Sequence, residues 1–415
     1  MAAGYLDLLR TRHTARLLAG TLVGRLPNAT AALGIVLLTR SEGGDFTLAG
    51  ILSAVYGIAT AVGQPLLGRA VDRYGQPRVM LPAALLSAAG MAVFAFSGPE
   101  PLPLACTAML AAGLFTPPLE GGLRALWPSV LKRADRVHAA YALDAAAQEV
   151  MFALGPLLVT LLVAAFSETA ALLWIAALGV AGALSVVTAP PSRVWRAEPR
   201  AADWLGPLRA PGLVSMIGSF FFVGVALGSI AVASVAYSDV HGGGMVSSYL
   251  LSALSLGALL GGLVYGARHW PGIPERRLRL LMAGLALCYL PLALVPGVAA
   301  MTALAGLSGL FLAPSLACAF VVVDRHAPSG TVTEAFSWLV TAFGVGAAVG
   351  AAAAGPAAQY GGASAAFAVA GAGGLVALLV MVATGRFLAF PNPAAALEKD
   401  RIAAPEPGFT STHQA

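Results

Sequence analysis

The stretch Gly68-Arg69-Ala70-Val71-Asp72-Arg73-Tyr74-Gly75-Gln76-Pro77-Arg78 lies between two long apolar runs, at about 46–67 and 78–97. Each run is long enough to cross the hydrocarbon core of a bilayer, which takes about 20 helical residues. The stretch itself is short and basic, and it contains glycine and proline. It therefore predicts a sharp turn at a membrane surface, after which the chain re-enters the membrane.

The composition of the whole chain places it in the same class. Of its 415 residues, 58% are hydrophobic and only 10% are charged, whereas soluble domains carry about 25% charged residues. The net charge of +5 is spread singly over short loops, which predicts no nucleic-acid partner. The cysteines Cys106, Cys288 and Cys318 lie in apolar runs without ligand spacing, so neither a disulfide, a metal nor a cofactor is expected.

Twelve apolar runs are arranged as six and six around a polar segment. This predicts an all-α integral membrane protein, with twelve transmembrane helices in two pseudo-symmetric six-helix bundles. The predicted domains are a first bundle at 1–190, a cytoplasmic linker at 191–210, a second bundle at 211–388 and a disordered cytoplasmic tail at 389–415. The runs fall at about 15–39, 46–67, 78–97, 102–123, 138–165, 169–190, 211–237, 245–267, 278–296, 299–322, 333–355 and 363–385.

Arginine and lysine are distributed unequally between the two sides of the predicted membrane. Most of them lie in the even-numbered turns, while the other turns contain only Arg40. Positive residues accumulate in cytoplasmic loops, so both termini are predicted to be cytoplasmic in a multi-pass protein of the cell (inner or plasma) membrane. The basic first residues and the long run that follows favour a first transmembrane helix over a cleavable signal peptide.

The opening stretch resembles the loop between helices 2 and 3 of the major facilitator superfamily, Gly-x-x-x-Asp-Arg-x-Gly-Arg-Lys. Gly68, Asp72, Arg73 and Gly75 match it in type and spacing, whereas Gln76 and Pro77 stand where a basic pair is usual and Arg78 supplies the charge later. Together with the twelve runs, the resemblance covers nearly the whole chain. It implies a transporter of this fold that works by alternating access.

The resemblance also assigns a mechanical role to Asp72, which in the family meets the start of helix 11 when the inner gate is closed. In this chain Thr331 to Glu334 has the Thr-x-x-Glu pattern of a capping box, the favoured interpretation for Glu334. The arginines Arg69, Arg73 and Arg78 are expected to offset its repulsion of Asp72. Gly155-Pro156 in the fifth run resembles the Gly-Pro of the antiporter signature, although the flanking glycines are mostly replaced.

Charged residues inside the apolar runs are the main candidates for function, because ionisable groups at depth are costly. Arg25 and Asn28 lie in the first run, and Gln148 and Glu149 in the fifth. The resemblance makes these helices neighbours, so Arg25 and Glu149 could pair, either as a fixed structural ion pair or as part of a transport pathway.

Other polar residues of these runs have simpler explanations. Glu120 lies four residues before Arg124, which favours a helical ion pair, and Asp144 is expected near the inner surface, where it could be merely solvated. Trp338 could line the cavity or anchor its helix at the interface. Glu120, Asp144 and Trp338 nonetheless join Arg25, Asn28, Gln148 and Glu149 as candidates for the substrate and proton pathway.

The predicted function is secondary active transport of a small molecule, most simply proton-coupled efflux of an amphipathic or apolar cargo by a monomer. Two alternatives stay open: proton-coupled uptake of a small anionic metabolite onto Arg25, and a membrane sensor without transport. The sequence contains no Walker A motif and no nucleophile–base spacing, so an ATP-driven pump and an enzyme are both disfavoured. The expected partners are the cargo, protons and the lipid bilayer.

Overall fold

The computed structural model describes residues 5–199, 205–242, 245–268 and 270–388. The predicted tail at 389–415 lies outside the described residues. All regular secondary structure in the described part is helical. The helices of the first half are α1 (Tyr5–Arg10), α2 (Thr14–Gly24), α3 (Leu26–Ser41), α4 (Phe46–Tyr74), α5 (Gln76–Ser97), α6 (Leu102–Leu114), α7 (Leu119–Leu131), α8 (Ala134–Ala165), α9 (Glu168–Val187) and α10 (Pro190–Val194).

The second half follows a short 3₁₀ turn at Gly206–Arg209. It contains α11 (Pro211–Val240), α12 (Met245–Ala267), α13 (Pro274–Tyr289), α14 (Val298–Gly309), α15 (Leu312–His326) and α16 (Val332–Ala383). Among the described residues, eleven helical segments are long and apolar enough to cross a membrane, with α2–α3, α6–α7 and α14–α15 each forming one segment. The predicted all-α membrane fold is therefore confirmed, and the count differs from twelve only at α16.

The range of α16 covers two of the predicted runs, because it comprises two helices separated by a break at Gly362. That glycine has φ of +70° and ψ of −172°, a conformation that glycine adopts without steric cost. The segment before the break runs parallel to α11, since Gly346 packs on the carbonyl of Phe221 and Gly350 on that of Val225.

The segment after Gly362 runs in the opposite direction. Gly373 packs beside Ala226, and Ser219, seven residues earlier on α11, donates a hydrogen bond to the carbonyl of Ala377. Higher numbers on α16 now meet lower numbers on α11. The chain therefore reverses at Gly362, which places the predicted runs 333–355 and 363–385 on antiparallel segments.

Three of the membrane segments are interrupted near their middle, and prolines explain the breaks in the two that belong to the first half. Pro27 is near the start of α3, and Pro117-Pro118 lies between α6 and α7. Proline has no N–H to continue the helical hydrogen bonding. The breaks put Arg25 and Glu120 beside helix ends rather than within continuous helix.

Small residues hold the helices of each half together. Gly24 lies against the backbone of Gly182 between α2 and α9, and Gly257 against the carbonyl of Gly306 between α12 and α14. Close backbone approach replaces the hydrophobic force that lipid cannot supply between helices. The seams formed by Gly24 and Gly257, like the one that Gly346 makes with α11, all lie within one half, so they are packing seams rather than surfaces between the halves.

The two halves meet mainly through α4 with α16 and through α8 with α12 and α15. We call the end of the bundle that carries Arg73, Lys132, Arg268 and Arg325 the basic end. Contacts between the halves involve the parts of these helices nearer that end, such as Gly68 with Ser337 and Gly262 with Ala146. The N-terminal α1 adds to them, because the Tyr5 hydroxyl donates to the carbonyl of Leu263 at 2.7 Å.

Candidate functional site

A buried cluster of charged side chains, which we call the charge quartet, joins α2–α3, α7 and α8. It consists of Arg25, Glu120, Arg124 and Asp144. Arg25 donates to Asp144 at 3.1 Å and to Glu120 at 2.5 Å. Arg124 donates to Asp144 at 2.8 Å and to Glu120 at 2.9 Å. Each arginine thus contacts both carboxylates, and the quartet is electrically balanced.

Helical spacing explains how these side chains converge. Glu120 and Arg124 are four residues apart on α7 and form the pair that their spacing predicts. Asp144 and Gln148 are likewise four apart on α8, and the Gln148 side-chain oxygen accepts a further bond from Arg25 at 2.6 Å. Arg25 reaches both helices from the break between α2 and α3.

The quartet is removed from solvent almost completely. Arg124 and Asp144 have no exposed surface, and Arg25 is 3% exposed. Such burial costs several kcal/mol per ion, so partners and hydrogen bonds must compensate it. The Arg124 guanidinium also lies 3.5 Å above the ring of Phe320 from the second half. The quartet is therefore fixed within the first half and contacts the second half through Arg124.

Two predictions about this region are wrong. Arg25 does not pair with Glu149, because Glu120 and Asp144 occupy its guanidinium. Asp144 is not solvated near the surface but lies fully buried between Arg25 and Arg124. The reason is the helical rotation of about 100° per residue, which turns Gln148 toward Asp144 and points Glu149 elsewhere.

Glu149 is a buried acid outside the quartet. It is 8% exposed and lies well within α8, on a membrane segment. No hydrogen bond or ion pair links it to any residue in the described part of the chain. The hydroxyl of Tyr289 on α13 is likewise buried without a hydrogen-bond partner among the described residues. Glu149 is therefore an acid without a neutralising partner.

The remaining pathway candidates lie on three helices. Asn28 is exposed on α3, one turn beyond Arg25, where an exposed polar side chain indicates water rather than lipid. Trp338 is half-buried on α16 with its ring nitrogen buried and without a hydrogen bond to any described residue. Pro156 lies inside α8, which continues through it, and Gly155 packs against Thr30 of α3.

At the basic end, Asp72 of α4 caps the N-terminus of α16. Its carboxylate accepts hydrogen bonds from the backbone N–H groups of Thr333 at 3.1 Å and Glu334 at 2.9 Å. The first N–H groups of a helix have no partner within it and carry partial positive charge. Gly68, one turn earlier, lets the two backbones approach, since a Cβ there would meet Ser337 and Glu334. We call this contact the latch.

The predicted capping box at the start of α16 is wrong. The Thr331 hydroxyl donates to the carbonyl of Pro328 and makes no cap hydrogen bond, because Asp72 from another helix already occupies the N–H groups. Glu334 instead forms an ion pair with Arg69 at 2.5 Å.

The other two arginines of this turn do not join the latch. Arg73 and Arg78 are exposed, and within the described residues neither forms an ion pair. Arg73 lies over the ring of Tyr74. Gly75 ends α4 with φ of +86° and makes the turn into α5. Of the three arginines expected to offset Glu334, Arg69 is thus the one in contact with it.

Three aromatic rings close the basic end between the halves: Tyr141 of α8, Phe320 of α15 and Phe336 of α16. Their ring centroids are 6.0 to 6.2 Å apart, and all three are at most 2% exposed. This aromatic cluster lies directly beside Arg124. It therefore separates the charge quartet from the solvent at the basic end.

Sequence reasoning did not single out Arg124, Tyr141 or Phe320 as site residues. Arg124 was noted only as the helical partner of Glu120, because it falls just beyond the predicted end of its run at residue 123. Tyr141 lies three residues before Asp144 on the same face of α8, and this spacing is a signal that could have identified it. Phe320 has no sequence signal, because its role depends on the packing of the second half against the first.

The arrangement contains acids, bases and a closed aromatic barrier but no nucleophile–base pair and, in the residues that the structure describes, no group of ligands for a metal ion. It places buried charge directly beside the contact between the two halves.

Known proteins resemble this chain in sequence and in fold. A model of the Major Facilitator Superfamily matches residues 17–306, and no curated protein matches the sequence. The fold is similar to that of a bacterial homologue of the iron transporter ferroportin in its outward-facing state, with a TM-score of 0.69 and 15% identity. The similarity covers 90% of this chain and 99% of that one.

Two further solved structures are similar. The human organic anion transporter MFSD10 (TETRAN) has a TM-score of 0.67 at 17% identity, covering 88% of this chain and 99% of that one. The transporter FucP in its outward conformation has a TM-score of 0.67 at 14% identity, covering 91% and 98%. The family model matches most of the chain, and the helical membrane fold and the latch are consistent with it. The chain therefore belongs to the major facilitator superfamily of membrane transporters.

Proposed function

We propose that this protein is a proton-coupled secondary transporter that expels a small amphipathic or apolar molecule by alternating access. Membrane transport of a small molecule follows from the family. What we propose beyond this is the coupling to protons, the direction of transport and the class of cargo. We also propose that the basic end and both termini are cytoplasmic and that the protein functions as a monomer in the cell membrane.

Glu149 is the observation that supports proton coupling most directly. An acid at depth without an ion pair is costly when charged, so its protonation state depends on whether water or a partner reaches it. In the quartet, by contrast, both carboxylates are neutralised by arginines. Of the charged groups placed at depth, Glu149 is therefore the one free to gain and lose a proton.

Other charged residues at depth are confined to the first half. In the second half, the acids and bases of the membrane segments lie at or near the helix ends: Asp239, Arg268, Glu275, Arg276, Arg277, Arg279, Asp324, Arg325 and Glu334. This asymmetry supports a division of labour in which the first half carries the proton. The second half then supplies mainly apolar surface and the aromatic barrier.

The mechanism couples protonation of Glu149 to closure of the basic end. With the latch and the aromatic cluster closed, Glu149 exchanges its proton with the opposite side. Rearrangement of the halves then breaks the contact of Asp72 with α16 and exposes the acid to the basic side. Glu149 has different surroundings when the basic end is closed and when it is open. A proton gradient therefore biases the populations of these two forms.

An apolar or amphipathic cargo is supported by the scarcity of uncompensated charge. Both arginines of the quartet are already neutralised, and the second half offers hydroxyl groups such as Ser229 and Ser308 that bond to main-chain carbonyls. The similar structures named above belong to transporters of different cargo, so the fold itself does not restrict the choice.

Uptake of an anionic metabolite onto Arg25 is the alternative. It requires a guanidinium available to the anion, whereas Arg25 donates to Glu120, Asp144 and Gln148 at once. An anion would have to displace one of these carboxylates. The observed contacts therefore favour an amphipathic or apolar cargo over an anion.

The experiment is transport in proteoliposomes that contain a pH-sensitive dye, with an imposed pH gradient. The cargo panel comprises tetraphenylphosphonium, neutral amphipathic dyes and small organic anions. Antiport moves protons against the direction of cargo, and symport moves them with it. Glu149→Gln should abolish accumulation driven by the pH gradient and leave downhill exchange largely intact, because it removes titration but keeps the shape of the side chain.

Glu42→Gln is the matched control, because it makes the same substitution at an exposed residue at the end of α3 while Glu149 remains. It should retain gradient-driven accumulation. If the Glu149→Gln protein still concentrates cargo against its gradient, the proton is carried elsewhere and the assignment is wrong. Proton movement in the same direction as an organic anion would instead establish the uptake alternative.

A further inference from the structure

A cleft of about 440 Å³ opens at the basic end, between the two halves and on the side away from the latch. The first half lines it with the turn between α7 and α8 and the start of α8. The second half contributes the turn between α12 and α13 and the end of α15. Tyr141 of the aromatic cluster forms part of its wall. A volume of this size is typical of small-ligand sites.

The cleft carries an excess of positive charge. Five cationic side chains line it against two carboxylates, Asp135 and Asp324: these are Lys132, Arg133, Arg268, Arg277 and Arg325. Two of the cations are neutralised, since Arg133 pairs with Asp135 and Arg325 with Glu275. Among the described residues, no ion pair neutralises Lys132, Arg268 or Arg277, and none holds Asp324.

Arg277 is the cation with the most unusual surroundings. Its guanidinium donates to the carbonyl of Trp270 at 3.1 Å and lies 5.6 Å from the ring of Tyr265. Its Nε atom is buried and has no hydrogen-bond partner among the described residues. Arg277 forms no ion pair within the described part of the chain, so an anion in the cleft would not have to compete with a carboxylate for its guanidinium.

The cleft side of the basic end has no counterpart of Asp72. On the latch side, Asp72 stands four residues after Gly68 and its carboxylate bridges α4 to α16. On the cleft side, the residue four positions after Gly266 is Trp270, which stacks on Tyr265 and donates to its carbonyl. The cleft side therefore has no carboxylate at the position that corresponds to Asp72.

We propose that this cleft binds a phosphate-bearing anion, which bridges the two halves and supplies from outside the chain the negative charge that Asp72 supplies at the latch. Arg268 and Arg277 are its principal ligands from the second half and Lys132 from the first. The phosphate belongs to a soluble phosphate or to the headgroup of an acidic lipid, which share this chemistry. Binding stabilises the form in which the basic end is closed, and it is independent of the cargo and coupling proposed above.

The test uses the full-length protein in nanodiscs and measures the midpoint of thermal unfolding. One arm adds inorganic phosphate to phosphatidylcholine nanodiscs, with equal ionic strength of chloride as the reference. The other replaces part of the phosphatidylcholine with phosphatidylglycerol. The variants are Arg268→Gln and Arg277→Gln. Arg276→Gln is the matched control, because it removes the same charge from an exposed residue that does not line the cleft.

We expect a rise in the unfolding midpoint in at least one arm, which persists in Arg276→Gln and is lost in the other two variants. The apparent Kd should rise about tenfold for each lost charge-assisted hydrogen bond. A rise confined to the first arm identifies a soluble phosphate, and one confined to the second identifies a lipid headgroup. Absence of any rise, or an equal rise in all variants, overturns the site. Because neither arm measures transport, failure here leaves the proposed function untouched.

Discussion

The two arginines and two carboxylates of the charge quartet depend on one another. Every one of the four contacts both residues of opposite charge, so removing any member leaves an unbalanced charge in a region without water. Replacing one partner of a buried ion pair is far more damaging than replacing the whole pair, because the remaining charge stays desolvated. The quartet thus favours one arrangement of α2–α3, α7 and α8.

Arg124→Met tests this mutual dependence at the residue scale. It keeps much of the side-chain volume but leaves Glu120 and Asp144 with Arg25 alone. We expect the free energy of unfolding in detergent, measured by denaturant titration, to fall by about 3–5 kcal/mol. The double variant Arg124→Met with Glu120→Gln should lose less than the sum of the two single variants, since it restores the charge balance.

Arg133→Met is the matched control, because Arg133 pairs with Asp135 at the surface. Exposed ion pairs contribute only about 0–1 kcal/mol, so its effect should be small. Equal losses for Arg124→Met and Arg133→Met, or strict additivity in the double variant, would contradict a cooperative quartet.

At this scale the sequence predicted which residues are unusual but not how they pair. The cost of burying charge identifies Arg25, Glu120 and Glu149 directly. Arg25 and Asp144, however, are 119 residues apart in the chain, and nothing local indicates that they meet. Helical spacing predicted the pair of Glu120 with Arg124 because both partners belong to one helix.

The N-terminus of α16 is capped by a residue of another helix. Its first N–H groups are satisfied by Asp72 of α4, while its own Thr331 and Glu334 bond elsewhere. Local pattern rules consider only the residues next to the helix start, and they therefore predicted the capping box. The family resemblance, which includes contacts between helices, indicated the partnership of Asp72 with this helix.

Asp72→Asn tests the latch at the element scale. Asparagine keeps the size of the side chain but removes the charge that faces the α16 N-terminus. A carboxylate in such a position is worth up to about 2 kcal/mol when partly buried. The equilibrium should therefore shift toward opening of the basic end by up to about thirtyfold. Spin labels at the exposed positions Arg78 and Arg276, with the native cysteines replaced, report the distance between the halves.

The matched control for the latch is Arg73→Gln, which removes the neighbouring charge of the same turn from an exposed residue outside the contact. Its distance distribution should match that of the unaltered protein. An unchanged distribution in Asp72→Asn would show that the carboxylate caps α16 without influencing which end of the bundle is closed.

At the scale of the whole molecule, contacts of several kinds between the two halves close the basic end. The latch is electrostatic, the aromatic cluster is apolar, and Tyr5 adds a hydrogen bond from the N-terminal helix to α12. Composition and periodicity were sufficient to predict the fold class because lipid permits few alternatives to apolar helices. The reversal at Gly362 was predicted as a gap between two runs, but its form, a break at a single glycine between two helices, depends on packing against α11.

Alternating access requires that the contact of α4 with α16 breaks in every cycle. In the closed form, a Cβ at Gly68 would lie 3.1 Å from the Cβ of Ser337 and 3.0 Å from the Cα of Glu334, so α4 and α16 must separate by a few tenths of an ångström to accept it. This small separation brings the two Cβ atoms toward the distance of about 3.5–4.5 Å that is usual in a disulfide. The pair Gly68→Cys with Ser337→Cys, in a chain without Cys106, Cys288 and Cys318, should therefore cross-link on mild oxidation. Mass spectrometry of the linked peptides measures the yield. Oxidation should stop transport in proteoliposomes and reduction should restore it, whereas each single variant should be insensitive to both treatments. Undiminished transport by a fully cross-linked protein would mean that the basic end need not open at this contact, and the proposed cycle would have to be abandoned.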